Sequence, residues 1–417
     1  MQKLRFRTGL LFVTIFRHLF KTHFLFPFSN LLICDKMNKG YNPFKECIHM
    51  EKVRVAMIGV GNISGIYLHN LHTRYTDIEL VGVCDLVRER AENAQKEYPN
   101  LKIYETMFDA FNDPKVEVIL NLTRPAEHFE VSKQALLHGK HVYSEKPLAA
   151  SIELGKQLVA IAEEKGLYLG GAPDTFLGAG LQTCRKLIDE GKIGRVLGVN
   201  AHMISHGMES WHPDCEFFYK FGGGPIMDMG PYYITALVSL LGRVKEVTGM
   251  TKTSFETRTV TAKEQAGKVI TVEVPTYVDG VMMFENGAVG RMLATFDAYY
   301  TKADRIEIFG TEGTLIAPDP NFFGGPVKLI DKEGKETEVD LIPGYNDNSR
   351  GLGLWDMCAS IRAGVSPRAS YQQTRHVLEI MTSFERASRK KGFETIETPY
   401  ERPRPMNEHY HETGRIL

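Results

Sequence analysis

The run Gly59-Val60-Gly61-Asn62-Ile63-Ser64, with Asp85 about 20 residues further on, holds the parts of a dinucleotide site. Gly59 permits a tight turn, and Gly61 lets the backbone approach a pyrophosphate. The amino end of a helix starting near Ile63 would meet that charge, with Asn62 and Ile63 forming the turn itself. Ser64 stands where a third glycine is usual and is small enough to keep helix and strand close. A carboxylate at Asp85 can accept hydrogen bonds from the adenosine ribose and would repel a 2′-phosphate, which favours NAD. Arg88 is close enough in sequence to accommodate that phosphate, so NADP stays open. The plain alternative is a glycine-rich turn with a surface aspartate.

Further along, Glu145-Lys146-Pro147 follows a short strand, and Thr123 and His128 follow another. Ligands of open α/β sheets sit outside the carboxyl ends of the strands, where these residues fall. A lysine held there would project beside the nicotinamide, where desolvation and the positive ring lower its pKa toward an acid/base value. The bland alternative is a surface lysine next to a turn-forming proline. His202, His206, Glu209, Trp211, His212 and Asp214 form a dense polar cluster, and three readings of it compete. His202 and His206 are spaced i and i+4 in a strand-and-loop stretch, so they need not converge on a metal, and none is assigned. As sugar-binding residues, Trp211 offers an apolar face to a pyranose while His206 and His212 supply hydrogen bonds. The third reading is a packed tryptophan with solvated histidines.

These residues need a scaffold of alternating strands and helices. Val53 to Ile58 is short, β-branched and apolar, as a buried parallel strand should be, and Leu80 to Asp85 ends the second. Helix-like stretches at Arg88 to Tyr98, Thr106 to Asn112 and Glu127 to Leu137 alternate with strands at Leu101 to Tyr104, Val116 to Leu122 and His141 to Tyr143. Such alternation predicts right-handed crossovers and a doubly wound parallel sheet. Ser151 caps a helix ending at Gly166, Leu167 to Gly171 is one more strand, and Gly180 to Glu190 is another helix. From Gly194 to Leu341 strands dominate, with Glu285-Asn286-Gly287 as a hairpin signal and one helix, Tyr232 to Leu241, apolar nearly all round. Tyr371 to Lys391 reads as a late helix that packs through Val377, Ile380, Met381 and Phe384. The tail from Pro399 is expected to be loose. The fold expected is an α/β Rossmann dinucleotide-binding domain over 50–170, plus an α+β C-terminal domain over 171–398 with a large, mostly antiparallel open sheet.

Lys plus Arg (50) nearly balance Asp plus Glu (51) along the 417 residues, so charge suggests neither nucleic acid nor a membrane surface as partner. Cys34, Cys47, Cys84, Cys184, Cys215 and Cys358 contain no C-x-x-C pair, which fits free thiols in a reducing, cytoplasmic setting. Residues 1–49 are basic, acid-poor and rich in phenylalanine, and their longest apolar run is too short to span a bilayer. Targeting peptide, membrane anchor and an extension outside the working protein all compete. The last is favoured, because Met50 directly precedes the first strand.

The ordered set Gly59-x-Gly61-x-x-Ser64, Asp85, Thr123 to His128, Glu145-Lys146-Pro147 and Gly222-Gly223-Gly224-Pro225-Ile226-Met227-Asp228-Met229-Gly230-Pro231-Tyr232-Tyr233 resembles the family of glucose-fructose oxidoreductase, inositol 2-dehydrogenase and rhizopine-catabolism proteins (Gfo/Idh/MocA). The likeness runs from Val53 to about Arg389. It implies hydride transfer between NAD or NADP and a sugar, polyol or related alcohol, and a homo-oligomer, dimer or tetramer, formed through the C-terminal sheet. By that resemblance Lys146 contacts both the nicotinamide ribose and the reacting hydroxyl, and Asp228 is the family's aspartate. Where many members have histidine four residues later this chain has Tyr232, as the glucose-fructose type does. A nearby Lys146 ammonium would favour the phenolate and let Tyr232 act as acid/base; otherwise Lys146 moves the proton and Tyr232 orients the sugar. Arg124 replaces a frequent proline, with solvent its expected surroundings and a phosphate or substrate carboxylate the alternative. Two other family activities compete: a glycosidase that keeps its NAD and oxidises transiently, and a non-catalytic dinucleotide sensor, against which Lys146 and Asp228 argue.

Overall fold

Parallel strands build the first sheet because their residues are apolar on both sides. In the computed structural model, which describes residues 51–406, β1 (Val53–Ile58), β2 (Ile78–Cys84), β3 (Lys102–Ile103), β4 (Val118–Asn121), β5 (His141–Ser144) and β6 (Leu169–Gly171) lie in the order β3-β2-β1-β4-β5-β6. Every neighbouring pair is parallel. All four residues of β4 are buried, as a strand covered on both faces requires. The strand order reverses between β1 and β4, the switch point at which such sheets bind ligands.

The intervening helices start and stop where side chains satisfy their ends. They are α1 (Ser64–Thr73), α2 (Arg88–Glu97), α3 (Met107–Asn112), α4 (His128–Leu137) and α5 (Ile152–Lys165). Thr106 and Asp109 form a capping box at α3. The Ser151 side chain accepts the Leu154 N–H at the start of α5, and Gly166, at φ +64°, closes it.

The second sheet has nine strands in the order β16-β15-β14-β13-β7-β12-β11-β8-β17. They are β7 (Val196–Ile204), β8 (Val244–Lys252), β11 (Tyr277–Phe284), β12 (Val289–Thr295), β13 (Ile306–Gly310), β14 (Thr314–Ala317), β15 (Val327–Ile330), β16 (Glu336–Val339) and β17 (Glu394–Thr395), while β9 (Thr257–Thr259) and β10 (Val269–Thr271) make a separate hairpin. Only β7 and β12 pair in parallel, so the sheet is mixed though mostly antiparallel. Helices α6 (Ala179–Asp189), α7 (Pro225–Asp228), α8 (Gly230–Leu241), α9 (Leu352–Ala363) and α10 (Tyr371–Lys390) complete the fold. Every residue of α8 is buried, and each leucine sequestered there contributes about 2 kcal/mol. The expected packing residues of α10 (Val377, Ile380, Met381 and Phe384) are buried, and the helix lies against β8 and α5.

Several features depart from the sequence reading, among them the short helix α7 and strand β17. Helix α9 was not expected; it packs on β6, and its Arg362 grips Glu117 through two N–H···O bonds of 2.7 and 3.1 Å. The β9–β10 hairpin is also additional. The tail is tied down over 399–406: Tyr400 and Met406 are buried, and Arg402 donates to the Leu240 carbonyl at 2.6 Å. Residues 1–50 and 407–417, with Cys34 and Cys47, lie outside the described residues. Cys84, Cys184, Cys215 and Cys358 are free and buried. Among the described residues no helix is long and apolar enough to cross a membrane.

Candidate active site

The turn after β1 is shaped by one steric requirement. Gly59 has φ +96°, and a Cβ there would stand 2.7 Å from the Leu122 carbonyl group. A Cβ on Gly61 would meet nothing within 4 Å, so open space lies beside the turn where a ligand could approach the backbone. Ser64 takes the place of the third glycine by donating its hydroxyl to the Gly61 carbonyl at 2.7 Å. Asn62 is exposed and Ile63 forms the helix N-cap.

Asp85 is held as well as aimed. Its Oδ2 accepts the Val60 N–H at 2.7 Å and its Oδ1 the Val87 N–H at 2.8 Å, fastening the glycine turn to the end of β2. A carboxylate offers about four acceptor positions, so lone pairs remain for a ribose. Arg88 is engaged by Glu92 at 2.9 Å and by Glu105.

Thr123 and His128 flank the loop after β4. The Thr123 hydroxyl donates to Asn121 Oδ1 at 2.6 Å. His128 is buried, with Nδ1 2.9 Å from the Pro147 carbonyl and Nε2 3.0 Å from the Thr123 carbonyl. Burial pushes its pKa down, and a neutral ring donates from one nitrogen at a time. The ring therefore lies between the Thr123 loop and the Glu145-Lys146-Pro147 turn and donates to one of the two carbonyls. Glu145 is buried too: Oε1 accepts from the Tyr67 hydroxyl at 2.9 Å and Oε2 from the Lys146 N–H at 3.1 Å.

Lys146 and Asp228 meet although 82 residues separate them. Lys146 Nζ donates to the Asp228 carbonyl and to Oδ1, each at 2.8 Å, and stands 5.1 Å from the centre of the Tyr232 ring. The glycines before Asp228 make this possible: at φ +89°, Gly224 turns the chain into α7, which Pro225 opens. Tyr232 lies in the first turn of α8 and is buried.

The protonation states differ from expectation. Burial alone would push Lys146 down, but Asp228, then Tyr232 and Glu145, outweigh it and hold the ammonium above its ordinary pKa. Burial likewise raises Tyr232, with Lys146 and Arg350 opposing and Glu145 reinforcing. The protein by itself thus keeps both groups protonated, where the sequence reading expected a lowered lysine or a phenolate.

Arg350 escaped the sequence reading. Its loop, just before α9, is fastened to α1: Asn70 Nδ2 donates to the carbonyls of Asn348 (2.9 Å) and Arg350 (2.8 Å), and the Tyr75 hydroxyl to that of Ser349. The buried Asp174 accepts the Gly351 and Gly353 N–H groups at 2.9 and 3.1 Å, and burial pushes its pKa up to about 6. The signal available was Asn348-Ser349-Arg350-Gly351-x-Gly353, a polar run broken by glycines before an apolar helix.

The His202 to Asp214 segment does not act as one cluster. Trp211 is 62% exposed, and its ring meets His212 edge-on at 5.4 Å. His212 accepts the Asp214 N–H at 3.1 Å and packs on Phe217 and Phe218. His206 belongs to another group, stacked on Tyr299 at 3.5 Å. Arg124 is 64% exposed and reaches Asp214 at 3.3 Å, joining the loop after β4 to this segment. Among the described residues no group of three His, Cys, Asp or Glu could hold a metal.

Comparison with known proteins agrees with this architecture. Residues 53–171 match the oxidoreductase family with an NAD-binding Rossmann fold, and residues 181–316 match the GFO/IDH/MocA C-terminal domain. The D-xylose dehydrogenase of Paenarthrobacter nicotinovorans is 27% identical over 217 residues, 49% of this chain, and the chain spans only about half (55%) of that relative. The scyllo-inositol 2-dehydrogenase (NAD(+)) of Bacillus subtilis is 27% identical over 325 residues, 76% of this chain and 88% of that protein. The solved structure of levoglucosan dehydrogenase with NADH and L-sorbose superimposes with a TM-score of 0.71 at 20% identity, covering 83% of this chain and 99% of the other. With both characteristic halves matched in order over most of the described residues, the chain belongs to the Gfo/Idh/MocA family of oxidoreductases.

Proposed function

We propose that this chain moves hydride between NAD(H) and a secondary hydroxyl or ketone carbon of a sugar, polyol or related compound. The observation that carries this reading is the Lys146–Asp228 pair, with Tyr232 beside it, at the carboxyl end of the sheet whose β1 turn has space for a pyrophosphate. Residues 50–170 bind the dinucleotide and 171–398 the substrate, with 1–49 and the 399–417 tail outside both tasks.

Gly59, Gly61, Asn62 and Ile63 would hold the pyrophosphate, Asp85 the ribose, and Thr123 with Lys146 the nicotinamide end. His128 and Glu145 position these loops from behind. When bound, the nicotinamide supplies or accepts the hydride. Of the three Lys146 N–H bonds, two go to Asp228, and the third is available to a substrate oxygen. An ammonium in that state suits ketone reduction, giving its proton to the oxygen as the carbon is reduced; oxidation needs the deprotonated amine. Tyr232, a neutral phenol, orients the same oxygen. Trp211 and His212 offer an apolar face and a polar edge to the sugar, with His206 further along the rim. Asp85 favours NAD over NADP.

A homo-oligomer, dimer or tetramer, is supported by the uncovered face of the nine-stranded sheet, where Leu197, Val281 and Val289 are exposed around a hollow of about 310 Å³. Screening aldoses and polyols for NADH fluorescence, with Lys146→Met as control, tests the proposed reaction. No NADH-linked turnover with any aldose or polyol would count against the reaction, and full turnover in Lys146→Met would refute the role given to Lys146.

A further inference from the structure

Arg350 brings a second cation to the candidate acid/base group, and the chain surrounds it with neutral oxygens. Its Nη1 donates to Asn348 Oδ1 at 2.7 Å, and its Nη2 to Asn321 Oδ1 at 2.9 Å and the Asn321 carbonyl at 3.3 Å. Among the described residues no carboxylate oxygen lies within 4.0 Å of it. Several other sheltered arginines here are neutralised: Arg258 lies between Glu209 (3.3 Å) and Asp297 (2.5 Å), Arg185 meets Asp189 at 2.5 Å, and Arg362 meets Glu117 at 2.7 Å. A sheltered guanidinium without a counter-ion is costly, and amide oxygens offset that cost only in part.

The position is also fixed in advance. Asn70 and Tyr75 hold the backbone on either side of Arg350, Asp174 holds the two glycine N–H groups that follow, and Arg74 donates to Asp347 at 2.7 Å. Tyr232 stands beside the guanidinium, its hydroxyl within hydrogen-bonding reach of it. Asp174 also acts on Arg350, but its Oδ2 is occupied by Gly351 and Gly353. A neutral sugar hydroxyl gains little from a guanidinium that an asparagine would not supply. A carboxylate gains a charge-assisted, planar fork of donors.

Building on the sugar or polyol oxidoreductase proposed above, we propose that Arg350 binds a carboxylate carried by the substrate, so that the preferred substrate is an acidic sugar such as a uronate or aldonate. The guanidinium donors left unused by Asn321, Asn348 and Tyr232 pair with the carboxylate. The carbinol then lies at Lys146 and Tyr232.

Calorimetric titrations with D-glucuronate, D-galacturonate and D-gluconate, each against its neutral counterpart D-glucose, D-galactose or D-glucitol, test this on the full chain with and without NADH. At least one acid is expected to bind tenfold or more tighter than its neutral counterpart. Arg350→Gln is expected to erase that preference to within twofold, and Arg350→Lys to restore part of it. The NADH affinity and melting temperature of Arg350→Gln report whether it is folded. Equal binding of acid and neutral sugar, no binding of any acid, or a preference that survives Arg350→Gln in folded protein would each overturn the proposal. D-Glucose 6-phosphate binding tighter than every carboxylate would do so too, by assigning the site to a phosphate ester. A protein that takes up no NADH contradicts the oxidoreductase reading instead, while the acid-against-neutral contrast is still read from the titrations without it.

Discussion

The Lys146 ammonium is shared by two oxygens of one residue: the Asp228 carbonyl and carboxylate each accept it at 2.8 Å. One contact is a dipole and the other a full charge, so Asp228→Asn keeps much of the geometry while removing the negative charge that holds the Lys146 pKa up. The sign follows from which form does the work. Oxidation uses the free amine, so its rate rises with pH through the Lys146 pKa, whereas ketone reduction uses the ammonium and falls there. In Asp228→Asn both limbs move to lower pH, by about one unit or more, as read from kcat/KM profiles in each direction. Limbs that stay in place would remove Lys146 as their source.

Lys146 and Tyr232 separate by the size of their effects. With Lys146 as proton carrier, Lys146→Met lowers kcat by about 10² to 10⁴. Tyr232→Phe retains the ring and loses one hydrogen bond, so kcat falls by roughly tenfold with a rise in KM. Equal losses in kcat for both variants would make the phenol the proton carrier.

Two glycines of one turn predict opposite pairs of outcomes. Gly59→Ala drives a Cβ against the Leu122 backbone at φ +96°, so thermal unfolding should show a loss of about 2 kcal/mol or more. Gly61→Ala points its methyl into open space and leaves stability within about 0.5 kcal/mol, while NADH affinity falls tenfold or more. Unchanged affinity in Gly61→Ala would place the pyrophosphate elsewhere.

Local chemistry made the first half of the fold readable. The glycine turn, the Ser151 cap and the largely apolar β4 each carry their structural reason within a few residues. Lys146 was legible because a strand end places it, and family resemblance singled out Asp228; their pairing was not read, since spacing alone does not join residues 82 positions apart. The Lys146 and Tyr232 protonation states were not legible, because they depend on burial and on charges brought together only by folding. Arg350 was missed for a related reason: its loop has no regular structure and is placed by α1 and Asp174, distant in sequence.

Asp174 carries a pH signature of its own. Burial raises its carboxyl to about 6 in the folded chain, from an ordinary 3.8, so the folded state binds more protons between those values. Its stabilising contribution is therefore complete below about pH 4 and declines as pH rises toward 6. Asp174→Asn still accepts the Gly351 and Gly353 N–H groups and escapes this penalty. Its melting temperature should match wild type near pH 4 and exceed it above pH 6, by an amount equivalent to about 2 to 3 kcal/mol. A variant less stable at pH 7 than at pH 4, relative to wild type, would contradict the assignment.

Binding of a dinucleotide along the Gly59 to Asp85 turn is tested directly by titration calorimetry of the purified chain with NADH and NADPH. One NADH per chain is predicted, bound more tightly than NADPH because the Asp85 carboxylate repels a 2′-phosphate. Heat of binding from neither coenzyme would contradict the central claim, and NADPH preferred by more than tenfold would contradict the role given to Asp85.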